Sequence, residues 1–292
     1  MGRRLRVFDP EQIYFLTNTT EQSTFFMTPN ELVTEAIGAV IARGQHLYPI
    51  RLFGYVVMSS HLHLMVSGDP NQIVAFARYI FGNIARRVSS IIGYSGKFWK
   101  GRYKHGIITD DSATRERLSY ILAHGVKEGL VEQAAQWPGL HCIEHLQTEQ
   151  DRQFRWRDAR GELRREKLIL SPLPFWAHLS RRERQHELSE TIKHSVERAA
   201  VARGKKKPLG VRRILSANPF DKSTETKRSP QPLCHSSSAE LALEYKEKFR
   251  AFTAAYRALS QRFRKGEQVE FPFGAFPPPL MECSRRKLNV AS

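Results

Sequence analysis

Gly54-Tyr-Val-Val-Met-Ser-Ser-His-Leu-His-Leu-Met-Val66 is an apolar run broken only by two serines just before its first histidine. Side chains two apart on a β-strand leave by the same face. His61 and His63 therefore share one face, and Leu62 and Leu64 share the other. Two imidazoles on one rigid face can hold a metal ion at a single point. Taken alone, the pair reads equally well as polar residues on a solvated strand face. Ser59-Ser60 marks either a tight connection between strands over 50–58 and 62–67 or a bulge.

Working outward from this run, Gln12-Ile-Tyr-Phe-Leu-Thr-Asn-Thr19 is rich in β-branched and aromatic residues and predicts a strand. Thr28-Pro-Asn-Glu31 has helix-start chemistry. Leu32, Val33, Ala36, Ile37, Val40 and Ile41 then recur at helical spacing to about Arg43. Asp69-Pro-Asn71 opens a second helix over about 71–91, with Ile73, Phe76, Ile80, Ile84 and Val88 on its apolar stripe. Residues 102–109 predict a fourth strand, and Asp110-Asp-Ser-Ala113 starts a third helix over about 112–124. The order β-α-β-β-α-β-α predicts an α+β protein with a ferredoxin-like antiparallel sheet.

The texture changes after about residue 147. Residues 1–150 carry 15 Lys and Arg against 13 Asp and Glu, while residues 151–292 carry 31 against 16. Almost all of the net charge of +17 thus belongs to the second half. Such a field attracts polyanions, nucleic acid above all. Helices are expected over about 180–202 and 238–265, the latter with Leu241, Tyr245, Phe249, Phe252, Tyr256, Leu259 and Phe263 as a stripe. Arg203-Gly-Lys-Lys-Lys-Pro208 reads as a basic linker, solvated or phosphate-binding, and a Ser/Thr/Pro/Lys stretch follows over 216–238. The proline-rich tail 271–279 cannot be helical. The expected division is a catalytic domain, 1–147, and a basic, mostly helical extension, 148–292. Cys142, Cys234 and Cys283 are too few and scattered for a disulfide framework. Without an apolar leader or a membrane-length apolar run, a cytoplasmic protein is expected, with no membrane partner.

Tyr120 and His124 lie four apart and share a helix face. If that face packs beside the histidine strand, His124 completes a three-imidazole site and Tyr120 reaches the same point. A metal beside a tyrosine hydroxyl suits covalent phosphoryl chemistry. The plain alternative is a core tyrosine and a helix C-terminal histidine that suits the dipole. Histidine-triad nucleotide hydrolases need a third histidine where Met65 stands, which excludes them.

Three further stretches extend the pattern. Val56-Val-Met-Ser-Ser-His-Leu-His-Leu-Met-Val66 resembles the histidine–apolar–histidine strand of single-tyrosine HUH transposases, with Ser59-Ser60 in place of the Pro-Asn usual in REP-associated members. Lys97-Phe-Trp-Lys-Gly-Arg-Tyr103 resembles that family's F-W-x-x-R-Y segment. Tyr120-Ile-Leu-Ala-His-Gly-Val-Lys-Glu-Gly-Leu-Val131 resembles its Y-I-x-x-N-P-V-x-x-G-L-V helix end, followed by a similar Trp137-Pro-Gly. The resemblance covers about residues 10–145. It implies an HUH endonuclease core in which Tyr120 is the nucleophile and His61, His63 and His124 bind a divalent metal, Mg or Mn. His124 stands where the family has an amide-type ligand, and three imidazoles favour softer ions than magnesium.

The implied activity is cleavage and rejoining of single-stranded or hairpin DNA through a 5′-phosphotyrosine, as in DNA transposition, by a monomer or homodimer. The alternative is a hairpin-binding regulatory protein that keeps the fold without the chemistry. Arg86, Arg87, Trp99, Arg102 and Lys104 are the expected DNA-binding residues, since aromatics stack on unpaired bases and cations follow phosphates. For Trp99 the core is an equal alternative.

Overall fold

The computed structural model describes residues 5–158, 160–223 and 232–278. Cys283, part of the 216–238 stretch and the last residue of the proline-rich tail lie outside the described residues. Seven strands are present among them: β1 (Ile13–Thr19), β2 (Arg51–Val57), β3 (His61–Ser67), β4 (Lys104–Ile108), β5 (Arg152–Arg157), β6 (Leu163–Leu168) and β7 (Cys234–His235). The main helices are α1 (Glu31–Leu47), α2 (Pro70–Ile92), α3 (Asp111–Leu122), α4 (His124–Lys127), α5 (Ile143–Thr148), α6 (Arg181–Arg203), α7 (Val211–Leu215) and α8 (Ala239–Arg264).

The first four strands order as β2-β3-β1-β4, every neighbour antiparallel, which is the ferredoxin-like sheet. β2 and β3 form a hairpin closed by Met58 N–H donating to the His61 carbonyl (2.8 Å). The serines are therefore the tight connection. The irregularity in the pair falls between Leu52 and Gly54 instead. Helix starts follow local chemistry. Asn30, Asp69 and Asp110 each accept a backbone N–H at the first turn of α1, α2 and α3. Gly93 ends α2 in the left-handed region, at φ 69°.

α1 runs past Arg43, where the sequence pattern ended it. Gly44 reads locally as a breaker, but here it is a packing notch. A Cβ at Gly44 would sit 2.7 Å from Ile80 Cγ2, so the missing side chain lets α2 close on α1. Tertiary contact outweighs the roughly 1 kcal/mol helix cost of glycine.

The second half is not confined to helices. The charge-dense segment after residue 150 folds as the β5–β6 hairpin, six paired residues in register from Arg152↔Leu168 to Arg157↔Leu163. Only Phe154 and Leu168 of that hairpin are fully buried. Phe154 fills the notch left by Gly38 on α1, while Arg43 and Arg87 lie over the Trp156 ring at 4.9 and 5.9 Å. The buried core continues through Leu173, Trp176, Leu188, Ala199 and Ile214. No helix among the described residues is long and apolar enough to cross a membrane.

The Gly38–Phe154 contact gives a direct test. A Cβ at Gly38 would overlap the Phe154 ring, so Gly38→Ala should destabilise the chain by about 1–3 kcal/mol through overpacking. The urea midpoint reads this. Combining it with Phe154→Leu should recover part of the loss, and strictly additive effects would mean that the hairpin does not dock on α1 as described.

Candidate metal centre and tyrosine

The register of β3 sets the histidines. Thr17 of β1 pairs with His63, and Thr19 with His61. Phe15, two before Thr17, stacks on the His63 ring with centroids 5.0 Å apart. The same face meets α3 and α4. Arg117, Tyr120, His124 and Lys127 stand three, four and three residues apart, a single helical stripe. Ala123 separates the two helices, yet its N–H still donates to the Ser119 carbonyl (3.0 Å) and its carbonyl accepts from Lys127 N–H (2.8 Å). Gly125 lets this corner close: its Cβ would lie 3.1 Å from Val131 Cγ2 and 3.5 Å from Trp137. Trp137 in turn donates its indole N–H to the Val57 carbonyl (2.9 Å), tying the corner to β2.

His61, His63 and His124 converge, and one ligand nitrogen from each lies within 4.8 Å of the others. His61 Nε2 and His124 Nε2 are 2.7 Å apart. His63 Nδ1 bonds Thr17 Oγ1 (2.8 Å) and His61 Nδ1 bonds Ser60 Oγ (3.1 Å). If each Nδ1 carries the proton and donates, Nε2 of both rings is left with its lone pair. His63 Nε2 is buried with no hydrogen-bond partner among the described residues. Nδ1 atoms held by hydroxyls and an orphaned Nε2 aimed at two neighbouring imidazoles fit a divalent transition ion. Burial drives the charge state the same way. His61 is pushed down to about 4, and His63 and His124 well below the ordinary imidazole value, desolvation being the largest cause in each. All three are neutral at pH 7, as ligation requires.

Tyr120 packs against this cluster, its ring 5.2 Å from His63 and 4.7 Å from His124. Burial raises its hydroxyl to about 12; Glu128 adds to the rise and Arg117 opposes it. The phenol is protonated at neutral pH.

A cleft of about 1060 Å³ opens over these groups. Lys104 and Arg117 line it from the first half, and Leu209, Ile214, Ala217 and His235 from the second. The described residues that supply this far wall are tethered to the first half at several points. Leu209 and Gly210 N–H donate to Gly129 and Leu130 carbonyls, and Phe25 N–H to Asp221. β7 then adds to β4 in parallel, Ile107 opposite Cys234. The His235 ring sits over Gly106, where a Cβ would come within 2.9 Å of Nε2, and its edge meets Phe15 at 5.4 Å.

The expected DNA-binding residues are not brought together. Lys104 alone lines the histidine cleft. Arg86 and Trp99 border a separate shallow groove of about 560 Å³ with Tyr94 and Lys97. Trp99 is half-buried, donates to the Phe81 carbonyl (2.8 Å) and meets Phe98 and Phe81 edge-on. Arg87 faces Trp156, and Arg102 is exposed beside Tyr103. Sequence reasoning missed Thr17, Arg117, Lys127 and His235. Arg117 and Lys127 carried a signal, the i−3 and i+7 spacing from Tyr120. Thr17 and His235 had none, because strand pairing alone places them.

No protein-family model matches this chain, and no curated protein does. Among solved structures, the chain is similar to a REP-associated tyrosine transposase bound to a REP hairpin. That likeness is 18% identical, covers 50% of this chain and 85% of the other, and has a TM-score of 0.41. It is also similar to a candidate transposase from Deinococcus radiodurans R1, at 19% identity, 42% and 95% coverage and a TM-score of 0.30.

Two outcomes follow from this geometry. Thr17→Val should leave the fold intact and weaken manganese binding about 10- to 100-fold, since it frees the His63 ring to turn; calorimetric titration reads this. Unchanged affinity would remove Thr17 from the support of the site. The second concerns acid. Burial also holds His141, His145 and His235 at about 4, below the ~6.5 of an unfolded imidazole. The unfolded chain takes up these protons first, so stability is full above about 6.5 and is lost as pH falls toward 4. Urea midpoints should drop across that window, and His145→Gln should flatten the drop.

Proposed function

We propose that this protein cleaves and rejoins single-stranded DNA through a covalent 5′-phosphotyrosine at Tyr120, in the manner of a transposase. The observation that carries the reading is the meeting of three imidazoles and a tyrosine at one cationic cleft, whose floor His61, His63 and Tyr120 line with His124 buried behind them. Hairpin DNA is the substrate class that the motif resemblance implies. We assign the chemistry to residues 1–147, with the basic second half completing the cleft wall and attracting the strand.

The chain's own groups have defined tasks. Tyr120 Oη attacks phosphorus, forming the Oη–P bond as the P–O3′ bond breaks. The phenol gives up its proton and the departing 3′-oxygen takes one up. The bond energy stays in the intermediate, so a free 3′-hydroxyl can reverse the exchange without a nucleotide cofactor. His61, His63 and His124 would hold a divalent ion, which neutralises charge on a nonbridging phosphate oxygen when bound. Thr17 and Ser60 orient two of those imidazoles. Phe15 meets the Tyr120 ring edge-on, with centroids 6.0 Å apart, and helps to fix its orientation. Three nitrogen donors favour manganese or a softer ion over magnesium.

Labelled single-stranded hairpins with manganese test the proposal. The wild-type chain should give a protein–DNA adduct that survives a denaturing gel. Tyr120→Phe should abolish it while retaining hairpin binding, because only a hydroxyl is lost. His61→Ala or His63→Ala should remove most of it, and His124→Gln should be milder than His124→Ala. An adduct that persists in Tyr120→Phe would assign the nucleophile elsewhere. Hairpin binding without any adduct would leave a binding protein.

A further inference from the structure

The stripe that carries Tyr120 sets a cation on either side of it. The Arg117 guanidinium carbon lies 5.3 Å from the centre of the Tyr120 ring, and Lys127 Nζ lies 4.3 Å from it. Both residues line the histidine cleft. Arg117 is half-buried. It makes one long ion pair, 3.7 Å from Nη2 to Glu116 Oε2, and lies 5.9 Å from the Phe15 ring. Its Nε is buried with no hydrogen-bond partner among the described residues. A buried donor without an acceptor is unfavourable, because it has given up its hydrogen bond to water and gained none in return. An arginine on a solvated helix face would swing out and avoid that cost. Here the fork is kept inside, against the tyrosine.

The surroundings say what would satisfy it. Glu128 lines the cleft as a carboxylate, against Arg117, Lys127 and Lys104. Among the described residues, cations outnumber the acid where a negative ligand would approach Tyr120. A planar guanidinium offers two parallel donors, which match two oxygens of a phosphate. Lys127 brings an ammonium from α4, about two turns beyond Tyr120 along the stripe.

We propose that Arg117 and Lys127 form an anion clamp that grips the nonbridging oxygens of a single phosphodiester beside Tyr120. The clamp rests on the strand-transfer reading for its catalytic consequence, though its binding of a phosphodiester stands on geometry alone. Held from both sides, the phosphate presents its phosphorus to the phenol oxygen. The same two donors meet the charge that grows on those oxygens as the bond forms. Arg117 and Lys127 would then be catalytic residues in the strict sense, touching the reacting group.

The test uses the full chain with Arg117→Gln, Lys127→Gln and Arg117→Lys. Lys127 is exposed, so its substitution carries little risk to folding. Manganese affinity, measured by calorimetry without DNA, should stay within about twofold of wild type in every variant. The rate of adduct formation in a single turnover should fall roughly 100-fold or more for Arg117→Gln, the loss typical of one such donor. Arg117→Lys should recover part of it. In a Tyr120→Phe background, the slope of log affinity against log salt for a short single strand should flatten by roughly 0.7 for each cation removed.

Adduct rates within twofold of wild type, together with unchanged salt slopes, would overturn the clamp while leaving the phosphotyrosine intact. A wild-type chain that forms no adduct would overturn the strand-transfer reading instead. The salt slopes would then still decide whether Arg117 and Lys127 grip a phosphodiester.

Discussion

One register carries the site. β3 lies between β1 and β2, and its pairing of His63 with Thr17 sends both imidazoles to the face that α3 and α4 cover. A slip of a single residue would turn His61 and His63 to the opposite face and Leu62 and Leu64 into the cleft. The slip is prevented by burial. Leu62, Leu64 and Val66 are wholly enclosed on one side, and His63 is stacked on Phe15 on the other. Each fully buried leucine contributes about 1.5–3 kcal/mol that a slipped strand would forfeit. The register that places the histidines is thus held by the hydrophobic core, and the Thr17 hydroxyl then orients the His63 ring within it.

Burial also sets the electrostatics. Desolvation keeps the imidazoles neutral and the phenol protonated, which is the resting state a ligand set and a latent nucleophile need. Among the described residues, positive charge enters through side chains that reach the cleft from the helix stripe and from β4. A neutral donor set flanked by cations suits an anionic substrate that arrives from solvent. Under the proposed function, the basic second half would concentrate such a substrate nearby, since 31 of the 46 Lys and Arg residues lie beyond residue 150.

The far wall changes how the second half is understood. Its composition reads as a basic linker and two helices, one of them with an aromatic stripe. In the structure, Leu209, Ile214 and His235 face the same cavity as the histidines, and Phe154 is part of the same core as α1. The segment is pinned by main-chain bonds to loops and a strand edge of the first half. Main-chain pairing is indifferent to side-chain type, so Leu209, Gly210, Asp221 and Cys234 carried no signal of it.

By itself the sequence determined the β-α-β-β-α-β order, the helix starts at Asn30, Asp69 and Asp110, and the shared face of His61 and His63. It also put Tyr120 and His124 on one helical face. These are local: caps act within a turn, and strand and helix periods repeat over a few residues. Tertiary structure alone decided that the Tyr120 face meets the histidine face, that Gly44 and Gly38 are packing notches rather than breaks, and that Trp99 is pinned to Phe81. It alone brought Thr17 under His63 and the second half across the cleft. Those choices join residues tens to well over a hundred positions apart, and no period in the chain records which distant surface will cover a given face.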